Sequence, residues 1–161
     1  MPRAKKSAER KAFVPSDFFS LQDIFLWEMV LRRQGDHQSH LDVEKSTLQT
    51  RRSVTPLTFK ASIEGIENEA DLLRALVKFG LRSIAAPMQD RPEIVHFELE
   101  ATFAVDYLVL RAPSSDDFAG FVEQNCVHNA WPFWRQHVYD TLKRASLPVP
   151  SIPLFCMTKK S

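Results

Sequence analysis

Between residues 21 and 110 apolar and polar positions alternate along most of the chain, the period-two signature of β-strands. In Leu21–Leu31, Phe25, Trp27, Met29 and Leu31 share one face while Ile24, Leu26 and Val30 take the other, which predicts a strand that is apolar on both sides. Residues 34–54, with Gly35 and two histidines, read as a polar connection. From Leu57 to Ile63 the alternation is clean, with Thr58, Lys60 and Ser62 on the wet side, and predicts a half-solvated strand. Leu72–Ile84 carries helix-forming residues, yet Leu73, Ala75, Val77, Phe79 and Leu81 recur at every second position and favour strand. Ile94–Leu110 keeps the same rhythm from Val95 through Phe97, Leu99, Phe103 and Val105 to Val109, an unusually long strand.

The period changes after Pro113. Ser114-Ser-Asp-Asp117 offers helix N-caps, and Phe118, Phe121, Val122, Asn125 and Cys126 recur at helical spacing. Trp131-Pro-Phe-Trp134 is expected to break that helix and begin a second one, with Trp134, Val138, Tyr139 and Leu142 on its buried stripe. From Ser146 the chain should run extended, because Pro148, Pro150 and Pro153 exclude helix and central strand alike. Four strands followed by two helices predict the α+β class, with the helices on one face of an antiparallel sheet. The other face then needs a partner, and a second copy of the chain is the simplest one.

Composition narrows the picture. At 161 residues the chain has the size of one domain with a real core. Its net charge of +1 conceals an uneven distribution, since Arg3, Lys5, Lys6, Arg10 and Lys11 crowd the first eleven residues. With those and the terminal Lys159 and Lys160 set aside, 14 of the 21 basic residues face 19 of the 20 acidic ones, so the body is acidic by about −5. Residues 1–16 are expected to be a flexible basic lead-in and 17–157 one domain. Two cysteines, Cys126 and Cys156, are too few for a disulfide framework, no charged-apolar leader is recognisable, and no apolar run reaches bilayer-spanning length; a cytoplasmic location is expected.

The candidate chemistry is sparse. Four glycines assemble neither a phosphate-cradling loop nor a dinucleotide fingerprint, and no serine sits in a Gly-x-Ser-x-Gly elbow. Cys126 and His128 stand two apart on a helix, where side chains diverge. His37 and His40, even with Asp36 or Asp42, lack the second spaced pair that zinc requires. Glu98, Glu100 and Asp106 share a strand face and read as its wet side. No enzyme, metal or cofactor is expected. What stands out is aromatic density: Trp131, Phe133 and Trp134 lie within four residues and cannot all face one core, so at least one should reach an interface or groove.

Asn125-Cys-Val-His-Asn-Ala-Trp-Pro-Phe-Trp-Arg135, followed by Leu147-Pro-Val-Pro-Ser-Ile-Pro-Leu-Phe155, resembles the C-terminal signature of SecB-like export chaperones, and Leu21-Gln-Asp-Ile-Phe-Leu-Trp-Glu28 resembles that family's first strand. The resemblance implies a four-stranded antiparallel sheet, two C-terminal helices and a homotetramer built as a dimer of dimers. It further implies an ATP-independent holdase that binds unfolded or partly folded clients in apolar grooves, for export with the SecA motor or for protection of an antitoxin. A dedicated adaptor for one cognate folded protein is the alternative. The groove wall is expected from Phe25, Trp27, Met29 and Leu31 of the first strand, from Trp131, Phe133 and Trp134, and from Leu147, Val149, Ile152, Leu154 and Phe155 of the proline-rich tail.

Overall fold

The computed structural model describes residues 12–34, 46–85 and 93–156. A short 3-10 turn at Pro15–Asp17 leads into strands β1 (Phe19–Arg33), β2 (Ser46–Ala61), β3 (Ala70–Ala85) and β4 (Val95–Val109). They form one antiparallel sheet in the order β1-β4-β3-β2, so the strands read from the sequence are present and β1 and β2 are its edges. Most of the expected basic lead-in, and the histidines His37 and His40, lie outside the described residues.

The core is the face that the alternation predicts. Leu73, Ala75, Val77, Phe79 and Leu81 of β3 lie beside Phe97, Leu99, Phe103, Val105 and Tyr107 of β4, all buried. Each well-buried Leu, Val or Phe contributes about 1.5–3 kcal/mol. Both central strands are covered on this side by one helical segment.

Two elements depart from the sequence reading. β2 begins at Ser46, inside the stretch read as a polar connection. Its first residues pair in register with β3, as in Thr50 with Leu81 and Arg52 with Phe79, yet they stay exposed on both faces. An edge strand held by backbone bonds needs no apolar alternation, and Pro56, which has no N–H to donate, is tolerated there. β1 carries register shifts between Leu21 and Asp23 and between Leu26 and Glu28. Each adds an unpaired residue, and the one at Trp27 turns its ring away from the face shared by Met29 and Leu31.

The helical segment also differs. Ser114 accepts from the Asp117 amide at 3.2 Å and caps α1 (Ser115–Gly120), as expected. A π-helical turn at Phe121–Cys126 then runs directly into α2 (Val127–Arg144). No break occurs at Trp131–Trp134, because Pro132 sits inside α2. Its missing N–H affects the carbonyl four residues earlier, at His128, and both residues are exposed, so solvent can satisfy that carbonyl. α2 ends in a Schellman turn: Ser146 adopts φ 53°, its amide donates to the Lys143 carbonyl at 3.1 Å, and the Leu147 amide donates to the Leu142 carbonyl at 2.9 Å. The buried Leu147 anchors the exit of the extended tail.

Candidate functional site

The helical segment lies across the middle of the sheet and leaves apolar surface on either side. Trp134 stacks on Phe79 at 5.4 Å and is buried, whereas Trp131 meets Phe79 edge-on at 5.4 Å and is half-buried. Phe133 points toward β4, 6.4 Å from Phe103, and remains 44% exposed. Leu26 of β1 is the cross-strand partner of Phe103, and Met29 that of Ala101; both are 43% exposed. Leu26 and Phe133 thus both neighbour Phe103, with Met29 further along β1, and all three are exposed apolar side chains on the helical face. Single exposed apolar residues are ordinary, but several together beside what is an edge strand among the described residues mark a candidate contact surface.

On the other flank the tail crosses α2 as a strap. The Trp131 indole N–H donates to the Pro153 carbonyl at 2.8 Å, and Arg135 Nε donates to the Ile152 carbonyl at 3.0 Å. Phe155 lies 5.5 Å from Trp131 and 6.0 Å from His128, with the Arg52 guanidinium 4.8 Å from its ring centre. A cleft of about 360 Å³ opens between β2 and the strap, lined by Arg52, Phe79, Trp131, Ile152 and Pro153 among others. A second, of about 390 Å³, lies on the far side of the strap beside Arg135, Tyr139 and Val149.

The opposite sheet face is half aromatic and half ionic. Arg74 forms a two-bonded ion pair with Asp106, both bonds at 2.7 Å, and its guanidinium lies 5.3, 5.1 and 5.8 Å from the rings of Phe25, Trp27 and Phe59. The hydrogen bond to Asp106 raises the Arg74 pKa against a lowering by desolvation. Further along, Glu100 meets Lys78 at 3.4 Å, Arg32 at 3.9 Å and Arg51, while Glu98 meets Arg32 at 3.3 Å and Arg51 at 3.5 Å. Glu100 is buried, so this face is an ion-pair network rather than the freely solvated side that alternation suggests.

Of the residues expected to form one groove wall, the structure distributes Phe25 and Trp27 to the ionic-aromatic face and Met29, Leu31, Trp131 and Phe133 to the helical face. Trp134 and Leu147 are core. Val149 and Leu154 are exposed, and Ile152 and Phe155 half-buried against the core. Sequence reasoning missed Leu26, hidden by the bulge, and Arg52, Arg74 and Arg135, whose partners are distant in sequence.

Other buried polar groups are poor chemistry. Asn129 donates to the Tyr107 hydroxyl at 2.8 Å, and burial pushes the Cys126 thiol up to about 12, which leaves it a weak nucleophile. Tyr107 is likewise raised, chiefly by burial. Among the described residues no group of His, Cys, Asp and Glu could hold a metal ion, and no helix is long and apolar enough to cross a membrane.

No protein-family model and no curated protein matches this chain. A solved structure does: the Mycobacterium tuberculosis Rv1957 SecB-like chaperone, in complex with a ChAD peptide from the Rv1956 HigA1 antitoxin, with a TM-score of 0.60. The fold is SecB-like. The match covers 90% of this chain and 96% of the other at 15% sequence identity. The structural match agrees with the SecB-like resemblance of residues 125–155.

Proposed function

We propose that this protein is a chaperone that holds extended apolar segments of unfolded or partly folded proteins, without nucleotide, an antitoxin tail being one class of client. The observation that carries this reading is the apolar strip on the helical face of β1, where Leu26, Met29 and Phe133 stay open to solvent although a folded core lies beside them. Client capture of this kind needs broad apolar contact rather than a few polar groups in fixed geometry. The SecB-like neighbour, which carries an antitoxin peptide, supports the same reading. It equally supports the narrower alternative of an adaptor devoted to one partner.

Client breadth separates the two. The purified protein is expected to suppress aggregation of reduced insulin and of thermally unfolded citrate synthase at near-stoichiometric ratios. Met29→Ser with Phe133→Ser should raise the concentration required several-fold while the melting temperature moves by only a few degrees, because both side chains are exposed. Failure on both clients, together with tight binding of one folded protein, would establish the adaptor instead.

A further inference from the structure

The strap of residues 148–156 is bound in an unusual way for a piece of core. Its two anchoring hydrogen bonds run from side chains to its own main-chain carbonyls, Trp131 to Pro153 and Arg135 to Ile152. Carbonyls are common to every peptide, so these donors recognise an extended backbone and not a sequence. The side-chain hold is partial: Leu154 is 74% exposed and Val149 is exposed, while Ile152 packs half-buried against the core and the Phe155 ring lies between Trp131, His128 and Arg52. Open clefts of about 360 and 390 Å³ flank the strap, so the site is roomier than its occupant.

We propose that the strap is a built-in placeholder, seated where an extended apolar segment of a partner protein binds and displaced by it. This rests on the chaperone reading above. Pro148, Pro150 and Pro153 explain why the exchange runs forward. They keep the strap extended at low entropic cost but strip it of three backbone N–H donors, which leaves gaps in any ladder with the edge strand β2 alongside. An incoming segment with ordinary residues offers the same carbonyls to Trp131 and Arg135 and adds donors that the strap lacks. The segment favoured is extended, free of proline at alternate positions, and carries an aromatic or leucine side chain for the place held by Phe155.

A site that is partly self-occupied shows an affinity reduced by the fraction of time it is open. The test uses the full chain and fluorescently labelled reduced, carboxymethylated α-lactalbumin, a permanently unfolded protein, with binding read by anisotropy. Phe155→Ala removes the strap's one packed ring, and Pro153→Gly keeps the accepting carbonyl while loosening the strap; thermal melts confirm that each folds. Both should tighten binding about three- to ten-fold. In the unaltered protein, added α-lactalbumin should speed hydrogen exchange at the Ile152, Leu154 and Phe155 amides. Equal or weaker binding by both variants, or slower exchange in the strap, would show that the strap is part of the groove and overturn the proposal. Absence of binding in the unaltered protein and both variants would remove the chaperone reading, and the placeholder with it.

Discussion

Ser146 holds the left-handed conformation that ends α2, at φ 53°, a region where a side chain costs roughly 1 kcal/mol and glycine almost nothing. Ser146→Gly should therefore raise stability by about 0.5–1 kcal/mol, visible as a rise of a few degrees in the thermal midpoint. His137 illustrates the opposite balance. It sits edge-on to Phe103 at 6.0 Å, and burial lowers its pKa below the usual 6.5 despite the attraction of Asp140. The unfolded chain then binds the proton more readily, so this contribution to stability is complete above about pH 6.5 and is lost as the pH falls toward the lower folded value. Urea midpoints at pH 7.5 and pH 5 should show that decline, and His137→Gln should flatten it. At the thiols, burial keeps Cys126 unreactive while Cys156 is exposed. A maleimide reagent should label one cysteine in the native protein and two in denaturant.

Among the elements, the two central strands were legible through burial. β3 and β4 could be read from period two because both bury one face against α2, so every second residue had to be apolar. β2 could be read only in its second half, since its first half is fixed by hydrogen bonds to β3 that leave no trace in side-chain pattern. The bulge at Trp27 and the passage of α2 through Pro132 are single-residue departures that a periodic pattern cannot register. Of the candidate site, the aromatic cluster Trp131–Trp134 and the extended tail were legible, whereas its division between core and surface was set by the angle at which α2 crosses the sheet. The ion-pair network has a similar hidden dependence. Arg51 reaches Glu100 by lying across Gly80, where an added Cβ would come within 2.8 Å of the Arg51 Cγ. Gly80→Ala should displace Arg51 and cost about 1 kcal/mol or more, the penalty for a weakened partner of a buried carboxylate. In an Arg51→Ala background the same substitution should cost distinctly less, and a double-mutant cycle by urea unfolding measures the coupling.

At the scale of the whole molecule the unbalanced feature is β1. It is an edge strand of fifteen residues, with Leu21, Leu26 and Met29 exposed on the helical face and Trp27 on the other. A long edge with unpaired backbone groups and apolar flanks invites pairing, and natural proteins that remain monomeric usually guard such an edge with charge or proline. Here the stretch from Ile24 to Leu31 contains a single charged residue, Glu28, and no proline. Antiparallel pairing of β1 with β1 of a second copy would satisfy the edge under a two-fold axis, continue the sheet across both chains, and set the apolar strips of the two copies side by side. Covering Leu21 and Leu26 in both copies would contribute several kcal/mol if each side chain gains about 1 kcal/mol, enough to offset a good part of the cost of association. Light scattering at micromolar concentration is therefore expected to give a homo-oligomer, with a dimer of such dimers as the larger form. Leu21→Lys with Leu26→Lys should shift the equilibrium strongly toward smaller species without lowering the unfolding midpoint of the separated chain by more than about 1 kcal/mol, because both positions are exposed in the single subunit. A unaltered protein that scatters as a stable monomer, or a double-lysine variant that assembles as before, would place the apolar flanks of β1 in client contact alone and remove the reason for pairing at this edge.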